Sequence, residues 1–347
     1  ATIVQLILDN KGIFESWEPY APFKTFTVHP GFHIITAVFA WLTRMSAVDA
    51  TLVMGQLLNG LAVLTLYPLA ERLSGGNRWV GVGAVLVGGL LSPMPAYYVN
   101  WGRYAQLAGQ AILPVALRFL VDAVEHKSPN RGHLILAGCT LAGMTLAYYR
   151  MPFFYGGFAL AWLLANAIAS RIPRRSWMKL LVRLLGVATI GVLLFLPWAS
   201  RVIGGSQLVD KIGAELTSEA AWSSVEADYA VWRGVTTYVP LALLIACACA
   251  AIWDAVSRRA ITVTPIIWYV IMASLPAGRL INIPGANMLQ SFANLISLYI
   301  PVSLVSGSLL SVPRRVTVGG SRAFNGIASL VVVGLAGVGA VSQLSVL

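Results

Sequence analysis

Apolar and polar positions change places along this chain on a scale of about twenty residues, the length of helix that crosses a bilayer. Ten stretches qualify as spans: 48–71, 79–98, 106–124, 132–149, 152–170, 181–199, 234–253, 261–277, 291–311 and 324–344. A shorter apolar run, Gly31 to Leu42, is too short to cross and suits a helix lying in or dipping into the interface. The opening residues, ATIVQLILDN, also carry a helical pattern. The predicted fold class is therefore all-α: a polytopic transmembrane helical protein of about ten spans with outward-facing juxtamembrane helices. The pattern organises 1–347 as a single transmembrane domain. Residues 1–47 form a first outward loop, 48–199 six spans, 200–233 a long outward loop and 234–347 four further spans.

The polar links alternate in charge, and this sets the predicted orientation. The links 72–78, 125–131, 171–180, 254–260 and 312–323, with Arg183, hold 14 of the 24 Lys and Arg residues, against four acids in or beside them, Glu71, Asp122, Glu125 and Asp254. Arg118 lies within a span, and the opposite face has nine basic and nine acidic residues. An excess of Lys and Arg marks the cytoplasmic side, so the long segments 1–47 and 200–233 are expected to face outward. Within the second, acids and aromatics interleave from Gln207 to Trp232, as in an amphipathic element on the membrane surface.

Composition agrees. Of 347 residues, 58% are hydrophobic and 11% charged, whereas soluble domains carry about 25% charged residues. The net charge of +11 is spread over helix ends and forms no patch suited to nucleic acid. Cys139, Cys247 and Cys249 lie in apolar stretches without metal-ligand spacing and read as small buried hydrophobes. No secretory signal peptide is evident. The chain opens at Ala1 in the middle of a helical pattern and stops at Leu347 just after an apolar stretch, so further residues are expected at both ends.

Candidate chemistry gathers on the predicted outward face. The link from Ala96 to Gln106 is rich in Tyr and Trp, as interface anchors are, but it also places Arg103 and Tyr104 at the start of a span. Arg103 reads either as a residue snorkelling to headgroups or as a clamp on a lipid phosphate, which guanidinium grips bidentately. Arg150, in the tight turn Tyr148-Tyr149-Arg150-Met151-Pro152, repeats that arrangement. Towards the N-terminus stand Asp9, Glu15 and Glu18, candidate general bases or simply solvated acids. Lys24 stands in the same segment, and His29 and His33 have the spacing of two ligands on one helix face. No metal is assigned; a divalent ion is the alternative reading, and no cofactor is identified. Gln56, Asn59 and Gln110 read as interhelical hydrogen-bond glue, and Arg118 with Asp122 as a local ion pair.

The order of these parts resembles the GT-C superfamily of integral-membrane glycosyltransferases, in particular bacterial relatives of protein O-mannosyltransferase and the lipid A aminoarabinose transferase. Ala1–Gly12 stands where that family has an amphipathic helix, and His29-Pro30-Gly31-Phe32-His33 where it has K-P-P-L. Glu71-Arg72 to Arg78 matches its basic turn, and Ser92-Pro93 with Tyr97, Tyr98, Arg103 and Tyr104 its outward motif. The likeness is clearest over 1–125 and beyond that rests on topology and on pieces such as Tyr148-Tyr149-Arg150. It departs at His29, where the family has Lys, and at Gly31, where it has a second Pro. The resemblance implies transfer of a sugar from a polyprenyl-phosphate donor to an outward acceptor at the plasma membrane. It implies phosphate contacts by Arg103, Tyr104, Arg150, Lys24 and His29, and a catalytic Asp upstream of Ala1. The rival readings are a flippase for lipid-linked sugars or small-solute transporter, and a non-catalytic membrane scaffold.

Overall fold

The computed structural model describes residues 1–22, 29–125, 131–169, 173, 176–204, 222–257, 261–281 and 289–311. Among these, every regular element is helical. In chain order they are α1 (Thr2–Asp9), α2 (Gly31–Thr43), α3 (Ala47–Leu64), α4 (Leu66–Leu73), α5 (Arg78–Leu86), α6 (Ala96–Asn100), α7 (Tyr104–Glu125), α8 (Arg131–Ala147), α9 (Met151–Ile168) and α10 (Trp177–Gly204). After the long loop come α11 (Trp222–Tyr229), α12 (Val235–Tyr238), α13 (Leu241–Val256), α14 (Val263–Ser274), α15 (Ser291–Ser297) and α16 (Tyr299–Gly307).

Among the described residues, five helical stretches are long and apolar enough to cross a membrane: Ala47–Leu73, Tyr104–Glu125, Met151–Ile168, Trp177–Val202 and Ser291–Leu310. They coincide with the expected spans 48–71, 106–124, 152–170, 181–199 and 291–311. The expected span 79–98 is cut short, because the helix from Arg78 ends with a π turn at Leu91 and the Ser92-Pro93 turn follows. The expected span 132–149 is the 17-residue α8, about 25 Å long at 1.5 Å per residue. The expected span 234–253 is broken by a 90° bend between Tyr238 and Leu241, and with Val225–Tyr238 it counts as a sixth crossing only if the bent pair is one span. Pro240 accounts for the break: it pushes Val239 into an extended conformation (φ −132°, ψ 101°) that no helix continues. The stretch 261–277 is helical only over the 12 residues of α14 before a 3₁₀ segment takes over. The expected span 324–344 lies outside the described residues, as do Lys24 and residues 205–221 of the long outward loop.

Two compact units divide the chain. The first comprises 1–62, 98–155 and 173–219. Here α7, α8 and α10 pack together, and α2 rests on α7 and α8. Small residues set the approach of α8 to α10: Gly138 faces Ile190, and Gly191 faces Leu141. In lipid there is little hydrophobic gain between helices, so close packing at small residues does the work. Arg183 on α10 donates to the Val124 carbonyl at 3.1 Å, satisfying an acceptor near the end of α7. On α1, Val4, Leu6 and Ile7 are buried with Phe14, Ala37 and Trp198, while Asp9 points out. This is the amphipathic helix the pattern called for. Arg201 holds the segment after it, donating to the Phe14 carbonyl at 3.1 Å. The Arg118–Asp122 pair expected on α7 is present at 2.6 Å.

The second unit comprises 63–97, 156–172 and 220–347. Its centre is α16, every residue of which is buried. It lies against α5 at a glycine contact, where a Cβ on Gly83 would come within 2.9 Å of the Gly307 Cα. Polar groups here are spent on backbone. Asn294 donates to the Met272 carbonyl at 2.6 Å, and Tyr229 donates to the Ala273 carbonyl at 2.7 Å. Asp228 accepts from the Ser291 N–H at 3.0 Å and hydroxyl at 2.9 Å, capping α15. Buried Asp254 accepts from the Thr262 N–H at 2.8 Å. Cys247 is half-buried beside Ser306, but Cys139 and Cys249 lie on exposed helix faces instead of in a core.

Candidate functional site

Both arginines singled out in the sequence belong to the first unit, and each stands at the first turn of a membrane-length helix. Arg103 follows Gly102, whose φ of +64° makes the left-handed turn that glycine tolerates, and its carbonyl accepts from Leu107 N–H at 3.1 Å to start α7. Arg150 enters α9 in the same way, its carbonyl accepting from Phe153 N–H at 3.2 Å. Helix N-termini carry partial positive charge, so the two guanidinium groups sit where the backbone field has their own sign. That arrangement is unfavourable for a cation and favourable for an anion.

The two arginines share a neighbour. The charges of both Arg150 and Arg103 act on the Tyr148 phenol, and Arg150 is within hydrogen-bonding reach of it. The Arg150 guanidinium carbon lies 5.2 Å from the Tyr149 ring centre and 5.8 Å from that of Tyr148. Cation–π contact of this kind holds a guanidinium in place without neutralising it. Arg150 is 9% exposed, while Arg103 is open to the surroundings.

His29 completes the wall. Its ring meets Tyr148 edge-on at 5.1 Å and Tyr149 at 5.9 Å. Gly31 makes the approach possible: a Cβ there would fall 2.8 Å from the Ala147 backbone, so only glycine lets the start of α2 touch the end of α8. Burial, then the charge of Arg150, holds the His29 pKa down to about 4. His33, one turn further on, is also held down to about 4, by burial and then by His29. At neutral pH both are uncharged, so Arg150 stands beside neutral imidazoles. The Phe32 ring stacks on Tyr104 at 5.5 Å, tying α2 to the start of α7. Below lies a polar layer in which the fully buried Tyr98 hydroxyl accepts from Gln110 Nε2 at 2.8 Å and Gln106 Nε2 at 3.4 Å. Gln110 therefore serves as the interhelical glue expected of it.

The structure thus brings together His29, Arg103, Tyr104 and Arg150 of the residues picked out by sequence. The acids lie elsewhere in their bonding. Asp9 accepts from Gln5 at 2.7 Å, Glu15 is 4.0 Å from Arg201, and the Glu18 N–H donates to the Ser16 hydroxyl at 3.2 Å. All three are exposed. Lys24 is outside the described residues. Sequence reasoning passed over Phe32 and the steric role of Gly31; the glycine directly after Pro30 at a helix start was the available signal. Among the described residues no three His, Cys, Asp or Glu side chains gather as a metal site.

Helices of membrane length and the cationic, aromatic wall between their ends define the class: an all-helical, multi-spanning membrane protein. Residues 24–283 match the model of DUF6541, a family of unknown function, and the chain belongs to that family. No curated protein matches it. Among solved structures, ArnT from Cupriavidus metallidurans bound to undecaprenyl phosphate is similar, with a TM-score of 0.53 at 14% identity. The match covers 89% of this chain and 54% of that one, so the chain spans about half the length of its structural relative. At that identity the likeness is one of fold.

Proposed function

We propose that this protein is a GT-C-type glycosyltransferase, taking a sugar from a polyprenyl-phosphate donor and passing it to an acceptor on the outer face of the membrane. The observation that carries the reading is the burial of Arg150 against Tyr148, Tyr149 and His29 at a helix N-terminus, with the charge of Arg103, at another, acting on the same Tyr148. Transfer turns a phosphodiester into a departing phosphomonoester, so negative charge grows on the phosphate, and preorganised cations beside it stabilise that change. The fold similarity to a protein solved with undecaprenyl phosphate supports the same ligand class. On this reading Tyr104 and Lys24 join the phosphate contacts. Asp9, Glu15 and Glu18 are the candidate carboxylates for the acceptor hydroxyl. The basic links face the cytoplasm of a plasma membrane, and the short or bent helices 78–91, 131–147, 225–256 and 263–278 complete a bundle of about ten crossings with 324–344.

The test is release of free lipid phosphate from radiolabelled polyprenyl-phosphate sugars by the protein in nanodiscs, with Arg103→Ala and Arg150→Ala alongside. Turnover abolished by either change, with the fold intact, is the expected result. Binding of the lipid without turnover of any donor would overturn the transferase reading in favour of a carrier or scaffold.

A further inference from the structure

The proposed chemistry releases one proton, which the carboxylate that takes it from the acceptor must pass on before the next turnover. When the acceptor oxygen bonds to the sugar's anomeric carbon, the bond from that carbon to the phosphate oxygen breaks. Its electron pair stays on the phosphate, and the acceptor hydroxyl gives up H⁺. A phosphodiester monoanion becomes a phosphomonoester dianion.

His29 is the group in this wall that can change charge in step with that. Its ring is set against Tyr148 and Tyr149, and the Arg150 charge acts on it directly. Around it stand His33 on α2 and Tyr148, Tyr149 and Arg150 from the turn after α8, with Arg103 acting on Tyr148 from the start of α7. Asp9, on the helix α1 that packs against α2, is exposed and bonded to Gln5. Arg103 and Arg150 keep their protons throughout. An imidazole can be neutral beside a monoanion and cationic beside a dianion.

Resting on the transferase reading, we infer that His29 is the residue that ends each turnover protonated, paired with the lipid phosphate dianion, so that capture of a polyprenyl phosphomonoester takes a proton onto His29. Burial and Arg150 keep the ring neutral beforehand, with its pKa down at about 4. A dianion against it reverses that balance. The lysine of the resembled family is a fixed charge; His29 makes the charge conditional on the product being formed.

Titration calorimetry of the protein in nanodiscs with farnesyl phosphate, at pH 5.5 to 6 in two buffers of different ionisation enthalpy, reads the proton balance. The expected result is that wild type takes up about one proton more per phosphate bound than His29→Lys, whose fixed charge holds the dianion without a proton from solution, since an ordinary imidazole pKa of 6.5 or above suffices in the complex. With the dianion bound in both, the comparison cancels the proton the phosphate itself releases. Equal balances in wild type and His29→Lys would overturn this inference and leave the lipid-phosphate site standing. Binding unchanged in an Arg103→Ala, Arg150→Ala double variant would instead overturn the site. Should His29→Lys fail to fold, ¹⁵N-histidine spectra of the wild type, with four histidines in the chain, give the same answer. One imidazole should change from neutral to cationic on adding farnesyl phosphate at pH 6, and no such change overturns the inference.

Discussion

The two compact units treat polar side chains in opposite ways. In the second, Asp228, Tyr229, Asn294 and Asp254 all bond to backbone groups left over at helix ends and turns, at 2.6 to 3.0 Å. These are structural residues, each satisfying a group that lipid would otherwise leave bare. In the first, Arg150 and His29 are gathered on the Tyr148 and Tyr149 rings, and the charge of Arg103, at the mouth of a second helix, also acts on Tyr148. Collecting like charges at positive helix termini does nothing for stability. A cost of that kind in one place, against thrift in the other, is the mark of a ligand site.

The largest expected effect sharpens that contrast directly. Arg150→Lys and Arg103→Lys keep a charge but lose the planar fork, and turnover should fall roughly 100-fold or more, as when a preorganised oxyanion donor is removed. Asp228→Ala should leave turnover within about 2-fold and cost roughly 1–2 kcal/mol in unfolding, the worth of a helix cap. Donor turnover and thermal unfolding of both variants check this, and the reverse pattern would break the comparison.

Two glycines come next. Gly31→Val drives a side chain into the Ala147 backbone and should cost roughly 1–3 kcal/mol while also weakening farnesyl phosphate binding, because His29 is displaced. Gly83→Val meets the Gly307 backbone and should cost a similar amount, with binding of the phosphate untouched once the protein is folded. Calorimetry and lipid-phosphate titration separate the two.

A smaller effect follows from the neutral histidines. His29 and His33 are held near 4 when folded and titrate near 6.5 when unfolded, so the unfolded chain binds more protons between these values. Stability is complete above about pH 6.5 and falls as the pH drops towards 4, by roughly 1–3 kcal/mol per histidine. His29→Gln should flatten that fall, measured as unfolding midpoint against pH. Smallest is Gly60→Ala on α3, where nothing stands within 4 Å: its stability should change by less than about 1 kcal/mol, and in the stabilising direction.

Parts of the fold are legible from hydrophobic run length alone, because lipid allows few alternatives to a long apolar helix. That logic worked for α7, α9 and α10. It failed at 234–253, where the apolar run is continuous but Pro240 bends the backbone by 90°, and at 79–98, where the helix stops at Leu91. Run length registers hydropathy and not direction. For the site, the sequence marks Arg103 and Arg150 as basic residues at helix starts on the face without a positive excess. It has no means of saying that residues 47 positions apart act on one tyrosine ring.

By itself, then, the sequence determined that the protein lives in a membrane, that it is helical, and which of its charges are out of place, since these follow from the solvent the chain must satisfy. Tertiary structure alone decided that His29 is neutral, that Gly31 admits it to the tyrosine wall, and that Asp9, Glu15 and Glu18 stay exposed with partners of their own. Those properties depend on burial, distance and the field of groups remote in sequence, which exist only once the helices have packed.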